Sequence, residues 1–459
     1  MRRSRAVRCI AAIMAGLLSP VLALADAGTG AAPPAAAGPE ATELARRIAL
    51  DFPHDDAAIR RLLDARIADV TDADIARWSA SGALESTLID GERRWFHRAV
   101  GNLLLLAPDA AARAKTPPTS SDGPLYALHP LHARWLQAAG EAARERVVSV
   151  DPRRFEITHT LTVDADAVPA GETLRAWLPF PRAIDGVQDT IQLVASTPAD
   201  AQIAPEDALQ RSAYLEATAV AGQPTRFAIT YRLRTRTRVA VLDAERGRAL
   251  SDAERATLAE HLSERPPHLV FRPELRAFSE RVVGDARTPV EIARRLFDAV
   301  SAKPWAVARE YSTVENLSLH ALRQPHADCG EKAMLLVALL RMNGVPARWQ
   351  SGWQLSPTDF DTMHDWLQAY LAPWGWVPMD PTHGPLASEN NALRHFYFGG
   401  LDGFRIAFND DWGRAFVPAK THPRSEPVDA QRSEVEWRGE NLYFDQWDYD
   451  FDWAPATAP

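Results

Sequence analysis

Three residues in this 459-residue chain have the types needed for nucleophilic chemistry at a carbonyl: Cys329, His364 and Asp380. A thiol attacks as it loses its proton, so it needs a base within hydrogen-bonding reach. An imidazole base in turn needs a carboxylate to fix its tautomer and orientation. Asp328-Cys329-Gly330-Glu331 precedes the apolar segment Ala333 to Leu340, and Gly344 and Pro346 lie just beyond it. An Asp cap with Glu three residues later predicts a helix that starts at Cys329 and runs to about Met342. The dipole and free N–H groups of its first turn would favour a thiolate and offer donors to an oxyanion. The competing reading is a core cysteine, because Cys329, Ala333, Leu336 and Leu340 share one helix face.

The base is expected from a strand hairpin. Ala347 to Trp353 reads as one strand and His364 to Leu371 as a second. Pro373-Trp374-Gly375 is a turn, and Trp376 to Asp380 returns antiparallel. Side chains alternate with period two, and the hairpin ends bring His364 within about four residues of direct opposition to Asp380. Asp365 and His383 compete on proximity alone. Asp365, however, should point to the face opposite His364, whereas Asp380 ends a strand, where a side chain is firmly held.

Cysteine usage sharpens the case. The chain has two cysteines, Cys9 and Cys329. Arg2, Arg3, Arg5 and Arg8, an apolar run from Ile10 to Leu24, and Ala23-Leu24-Ala25 form the pattern of a cleaved signal peptide over residues 1–25. Export to the periplasm or the extracellular space is therefore expected. Cys329 would then be alone in an oxidising compartment, where cysteines usually pair. Loss of four arginines would move the formal charge from −9 to −13, which gives no electrostatic footprint for nucleic acid. No later run reaches the ~20 apolar residues of a membrane span.

The rest of the chain supplies positioning elements. Residues 26–40 read as a flexible Ala/Gly/Pro leader. Residues 41–150 read as a helical region, with apolar positions at Leu44, Ile48, Ile59, Leu62, Leu63 and Ile67 and a Pro-rich break from Pro117 to Pro124. Residues 153–243 alternate, as in Phe155, Ile157, His159, Leu161 and Val163, and predict a β-sandwich. His159 is expected to be a hydrogen-bonded core histidine, and Arg232, Arg234, Arg236 and Arg238 a solvated stripe. Residues 270–425 hold the chemistry. The tail, 426–459, is acidic and aromatic, and its rings predict that it packs back onto the body.

The blocks Asp328-Cys329-Gly330 to Ala347-Arg348, His364-Asp365-Trp366, and Gly375-Trp376 to Asp380-Pro381-Thr382 resemble those of the transglutaminase-like superfamily. The resemblance covers residues 290–385. It implies an α+β fold: a papain-like, transglutaminase-like catalytic domain preceded by a β-sandwich and an N-terminal helical region. It also implies that Cys329, His364 and Asp380 are a catalytic triad. Ala327 departs from the glycine many members carry two residues before the cysteine. No residue plainly fills the upstream oxyanion role, for which Trp305, Tyr311 and Gln324 are candidates. The zinc-binding CxxC pairs of the superfamily's peptide N-glycanases are absent, so neither metal nor cofactor is expected.

The implied reaction is acyl transfer through a thioester on a protein or peptide amide, with water or an amine as acceptor. Hydrolysis is the expected outcome, because nothing in the chain is dedicated to excluding water. The alternative is a non-catalytic module that presents Trp349, Trp353, Trp366, Trp374 and Trp376 to a cell-envelope polymer or protein.

Overall fold

The computed structural model describes residues 39–116, 128–356 and 361–456, which fall into two compact units. The expected signal peptide, the leader up to residue 38 and the whole Pro-rich break lie outside the described residues.

The first unit contains helices α1 (Pro39–Asp51), α2 (Asp56–Arg66) and α3 (Asp72–Ala80), strands β1 (Ser86–Ile89) and β2 (Glu92–Trp95), and helices α4 (Ala99–Leu106) and α5 (Pro108–Ala112). Asp55 caps α2, and Thr71 with Asp74 forms a reciprocal capping box on α3. The core gathers Phe52, Ile59, Leu63, Trp78, Trp95, Phe96 and Leu103. The β1–β2 hairpin is a strand pair set within the helical region. Its turn is Asp90-Gly91, both with positive φ (53° and 82°), the backbone that an Asp-Gly pair favours between strands.

Residues 304–313 also belong to this unit rather than to the catalytic stretch in which the sequence places them. Asn102 exchanges hydrogen bonds with the backbone of Val307 (2.8 and 3.1 Å), and the Thr313 hydroxyl donates to Asp51 at 3.0 Å. Both Trp305 and Tyr311 lie in this segment.

The second unit opens with α6 (His129–Ala139). It continues through β3 (Val148–Val163), β4 (Thr173–Pro179), β5 (Gln188–Thr197), β6 (Gln202–Ile203), β7 (Ser212–Thr218) and β8 (Thr225–Val239). Helices α7 (Asp252–Thr257), α8 (Pro273–Val283), α9 (Pro289–Ser301), α10 (Leu317–Arg323) and α11 (Cys329–Met342) follow. The chain then forms β9 (Ala347–Gln354), β10 (Thr362–Leu371), β11 (Gly375–Met379), α12 (Asn391–Arg394), β12 (Gly400–Leu401), β13 (Arg405–Asn409), β14 (Glu434–Glu436), β15 (Asn441–Leu442) and β16 (Trp447–Pro455).

Two five-stranded sheets hold the expected sandwich strands, one ordered β12-β8-β3-β16 with β5 also on β8, the other β15-β14-β4-β7-β6. Phe180, just past β4, packs edge-on against Tyr231 of β8 and joins the two sheets. The stretch read as a tail supplies three of these strands. Trp447 to Pro455 runs antiparallel to β3, with Phe451 stacked on Trp353 at 4.0 Å and Trp453 edge-on to Phe155. His159 is buried, with Nε2 2.7 Å from the Arg432 carbonyl. The arginine stripe is largely paired: Arg232 with Glu156, Arg234 and Arg236 with Asp189.

The chemistry sits on a four-stranded antiparallel sheet, β11-β10-β9-β13, against which α11 packs. Nearly all of α11 is buried, because α8, α9 and α10 cover what the sheet does not. Gly352 of β9, opposite His364, lets β13 approach. A Cβ there would lie 1.9 Å from the Ile406 carbonyl oxygen. Backbone cannot yield as a flexible side chain can. We expect Gly352→Ala to cost about 1–3 kcal/mol, read as a lower urea midpoint with unchanged slope.

Candidate active site

The helix carrying the thiol starts where the sequence places it. The Asp328 carboxylate accepts from the Glu331 N–H at 3.0 Å and fixes Cys329 as the first helical residue. The reciprocal half of a capping box is missing, because the Glu331 side chain turns to the His320 imidazole. The N–H groups of Cys329 and Gly330, in the first turn, have no acceptor within the helix.

The register of the hairpin sets the base. Leu367 pairs with Met379, so Asp380 continues to a point opposite Trp366, and His364 lies two residues away on the same face. His364 Nε2 reaches Asp380 Oδ2 at 2.8 Å, with 3% and 0% of the two residues exposed. A carboxylate only accepts, so Nε2 carries the hydrogen and Nδ1 keeps its lone pair, which is the tautomer of a base. Burial lowers the His364 pKa, an effect that Asp380 opposes. Burial alone would raise the Asp380 carboxyl, but His364, His383 and Arg405 outweigh it and hold Asp380 well below the usual carboxylate range.

Sequence reasoning weighed His383 only as a competitor and missed Arg405 and Lys332 beside this pair. Arg405, buried on β13, donates to Asp380 Oδ2 at 2.7 Å and to Asp402 Oδ2 at 3.0 Å, between the rings of Trp366 and Tyr397. His383 stacks on His364 with centroids 4.9 Å apart, and its Nε2 lies 2.9 Å from Gln354 Oε1 and 3.6 Å from Asp380. Lys332, one turn into α11, is 2% exposed, and burial pushes its pKa down to about 8. The spacing Asp380-x-x-His383 was available as a signal. Arg405 had none, since its role depends on β13 docking beside β9.

The thiol itself lies elsewhere. Cys329 Sγ donates to Asp365 Oδ2 at 3.4 Å, and no hydrogen bond joins it to His364 among the described residues. The expectation of a thiolate-favouring site is thereby corrected. Burial, then the carboxyls of Asp365 and Asp328, push the Cys329 thiol well up.

Of the oxyanion candidates, Gln324 lies in the second unit, its Nε2 3.5 Å from His320 Nε2. Trp305 and Tyr311 belong to the first unit. Four of the five tryptophans proposed as a binding platform, Trp349, Trp353, Trp366 and Trp374, are buried core residues. The ligand atoms of His364, Asp380 and His383 lie within 4.8 Å of one another. The donor set does not suit a cation, because Arg405 already places a fixed positive charge on the same Asp380 oxygen. Among the described residues no helix is long and apolar enough to cross a membrane.

Residues 276–381 match the model of the transglutaminase-like superfamily and form a transglutaminase-like domain within an α+β chain. No curated protein matches the chain. Among solved structures it is similar to a candidate cysteine protease of Cytophaga hutchinsonii, at 13% identity and a TM-score of 0.45, over 68% of this chain and 94% of that one. It is also similar to the periplasmic domain of TgpA from Pseudomonas aeruginosa, at 16% identity and a TM-score of 0.26, over 50% and 88% of the two chains. Likenesses of this size carry no functional argument.

Proposed function

We propose that the chain is an exported thiol enzyme that cleaves protein or peptide amides through a thioester on Cys329. The observation that carries this reading is the buried His364–Asp380 pair at 2.8 Å, a base in its correct tautomer, on the strand next to the thiol-bearing residue's hydrogen-bond partner. In the reaction the Sγ–H proton passes to His364 Nδ1 as sulfur bonds to the carbonyl carbon. The oxyanion collects at the first-turn N–H groups of α11. The C–N bond then breaks, and the leaving amine takes the proton from His364. Water, deprotonated by the same imidazole, attacks the thioester, and the C–S bond breaks to restore the thiol.

The docking of the thiol on Asp365 favours a second reading, a domain that keeps the fold without catalysis. Incubating the mature protein with a cell-envelope extract, followed by mass spectrometry of the Cys329 peptide, separates the two. We expect an acyl mass on Cys329 that hydroxylamine removes and that is absent from His364→Ala. No adduct under any condition, with amide cleavage also absent, leaves the non-catalytic reading.

A further inference from the structure

Asp365 is a carboxyl that the reaction above does not use, and its setting is unusual. It is 2% exposed and, among the described residues, forms no ion pair. Its Oδ2 accepts from Cys329 Sγ at 3.4 Å and its Oδ1 from Gln431 Nε2 at 3.1 Å. Other acids surround it. Asp429, on the segment before β14, is 5% exposed. Asp328 caps α11, and Glu426 is held by Arg432. Two guanidiniums stand nearby: Arg432 pairs with Glu426, and Arg424 pairs with Glu434 and donates to the Asp429 carbonyl, while Lys332 on α11 donates to the Ser301 carbonyl. A cluster of carboxyls in low dielectric cannot ionise fully. Burial, then Asp429 and Asp328, accordingly raise the Asp365 carboxyl well above the usual range, and burial, then Glu426, does the same to Asp429.

We propose that Asp365 is a positioning residue that docks the Cys329 sulfur as a neutral thiol, so that the resting site is latched and the sulfur must leave this dock to meet His364. The inference rests on the acyl-transfer reading for its purpose, though not for its test. Whichever of the two groups loses a proton first, the second must ionise beside a negative charge. The thiol hydrogen lies in the bond to Asp365 Oδ2, which holds the proton on sulfur. Substrate that displaces the sulfur toward His364 frees it from this penalty, so reactivity appears only with the acyl group in place. A latched thiol would also resist oxidation in an exported protein, since the thiolate is the reactive form.

The test reads the thiol directly. Alkylation of Cys329 by iodoacetamide is followed from pH 5 to 10, with the Cys329 peptide quantified by mass spectrometry. In the wild type the rate should rise with a midpoint above the ordinary ~8.5 of a free cysteine. In Asp365→Asn, whose amide can donate to a thiolate, the midpoint should fall by at least about one unit, so that alkylation at pH 7 quickens roughly tenfold. An unchanged or higher midpoint in a variant with native near-ultraviolet dichroism overturns the proposal. If Asp365→Asn does not fold, Asp365→Ser serves, with the same expected direction. Adding His364→Ala keeps the two claims apart. Acceleration that persists in the double variant upholds the latch, which does not act through His364. Acceleration lost in the double variant overturns it. A wild-type midpoint below 8.5 sinks the latch and leaves the acyl-transfer reading standing.

Discussion

Replacing His364 with alanine should lower kcat/KM for hydrolysis of a fluorescein-labelled casein by roughly 10⁴-fold or to background, as expected for loss of the base of a triad. Asp380→Asn should cost a comparable factor. The asparagine amide can donate toward Nε2, which would move the hydrogen to Nδ1 and leave the base without its lone pair. Cys329→Ala should be no worse than either, because residues that act as a unit do not add. The pH profile carries the sign of the His364 environment. Burial lowers the His364 pKa, so the neutral base persists to lower pH than a free histidine allows. The acid limb of kcat/KM is thus expected below ~6.5, and activity should fall as pH drops through it. Retention of full activity by both His364→Ala and Asp380→Asn would remove the triad from the account.

Arg405→Ala should be the most destabilising single change near the site. It leaves Asp380 and Asp402 buried together with no cation between them, and removing one partner of such a network costs about 3–5 kcal/mol. Thermal and urea unfolding of the purified variant would measure this. The pH dependence follows from linkage. The Asp380 carboxyl is depressed in the folded state, so its contribution to stability is present above its unfolded value of ~3.9. That contribution is lost as pH falls through the lower folded value. Without Arg405 the folded value rises and the window of acid loss moves upward. The variant should therefore lose more stability than the wild type between neutral pH and pH 4. Arg405→Met, which keeps volume and removes charge, should behave like alanine if the charge is what matters. A variant as stable as the wild type at pH 7 would show that Arg405 is dispensable to the pair.

The sequence by itself determined the local features. Asp328, the following apolar run and Gly344 are enough to begin a helix at Cys329 and end it near Met342, because capping and helix termination act within one turn. Period-two alternation and the turn at Gly375 set β10 against β11, and through that register His364 against Asp380. The β1–β2 hairpin had a local signal too, the Asp90-Gly91 turn, which the reading of this region as helical passed over. Only the tertiary structure decided the contacts between segments distant in sequence. Arg405 meets Asp380 because Gly352 lets β13 close on β9. The aromatic tail becomes β14, β15 and β16 because unpaired strand edges of the sandwich need hydrogen-bond partners. The charge state of the thiol also belongs to this class. A helix terminus argues for a thiolate, but folding buries the sulfur and sets it against the Asp365 carboxyl, with Asp328 close by.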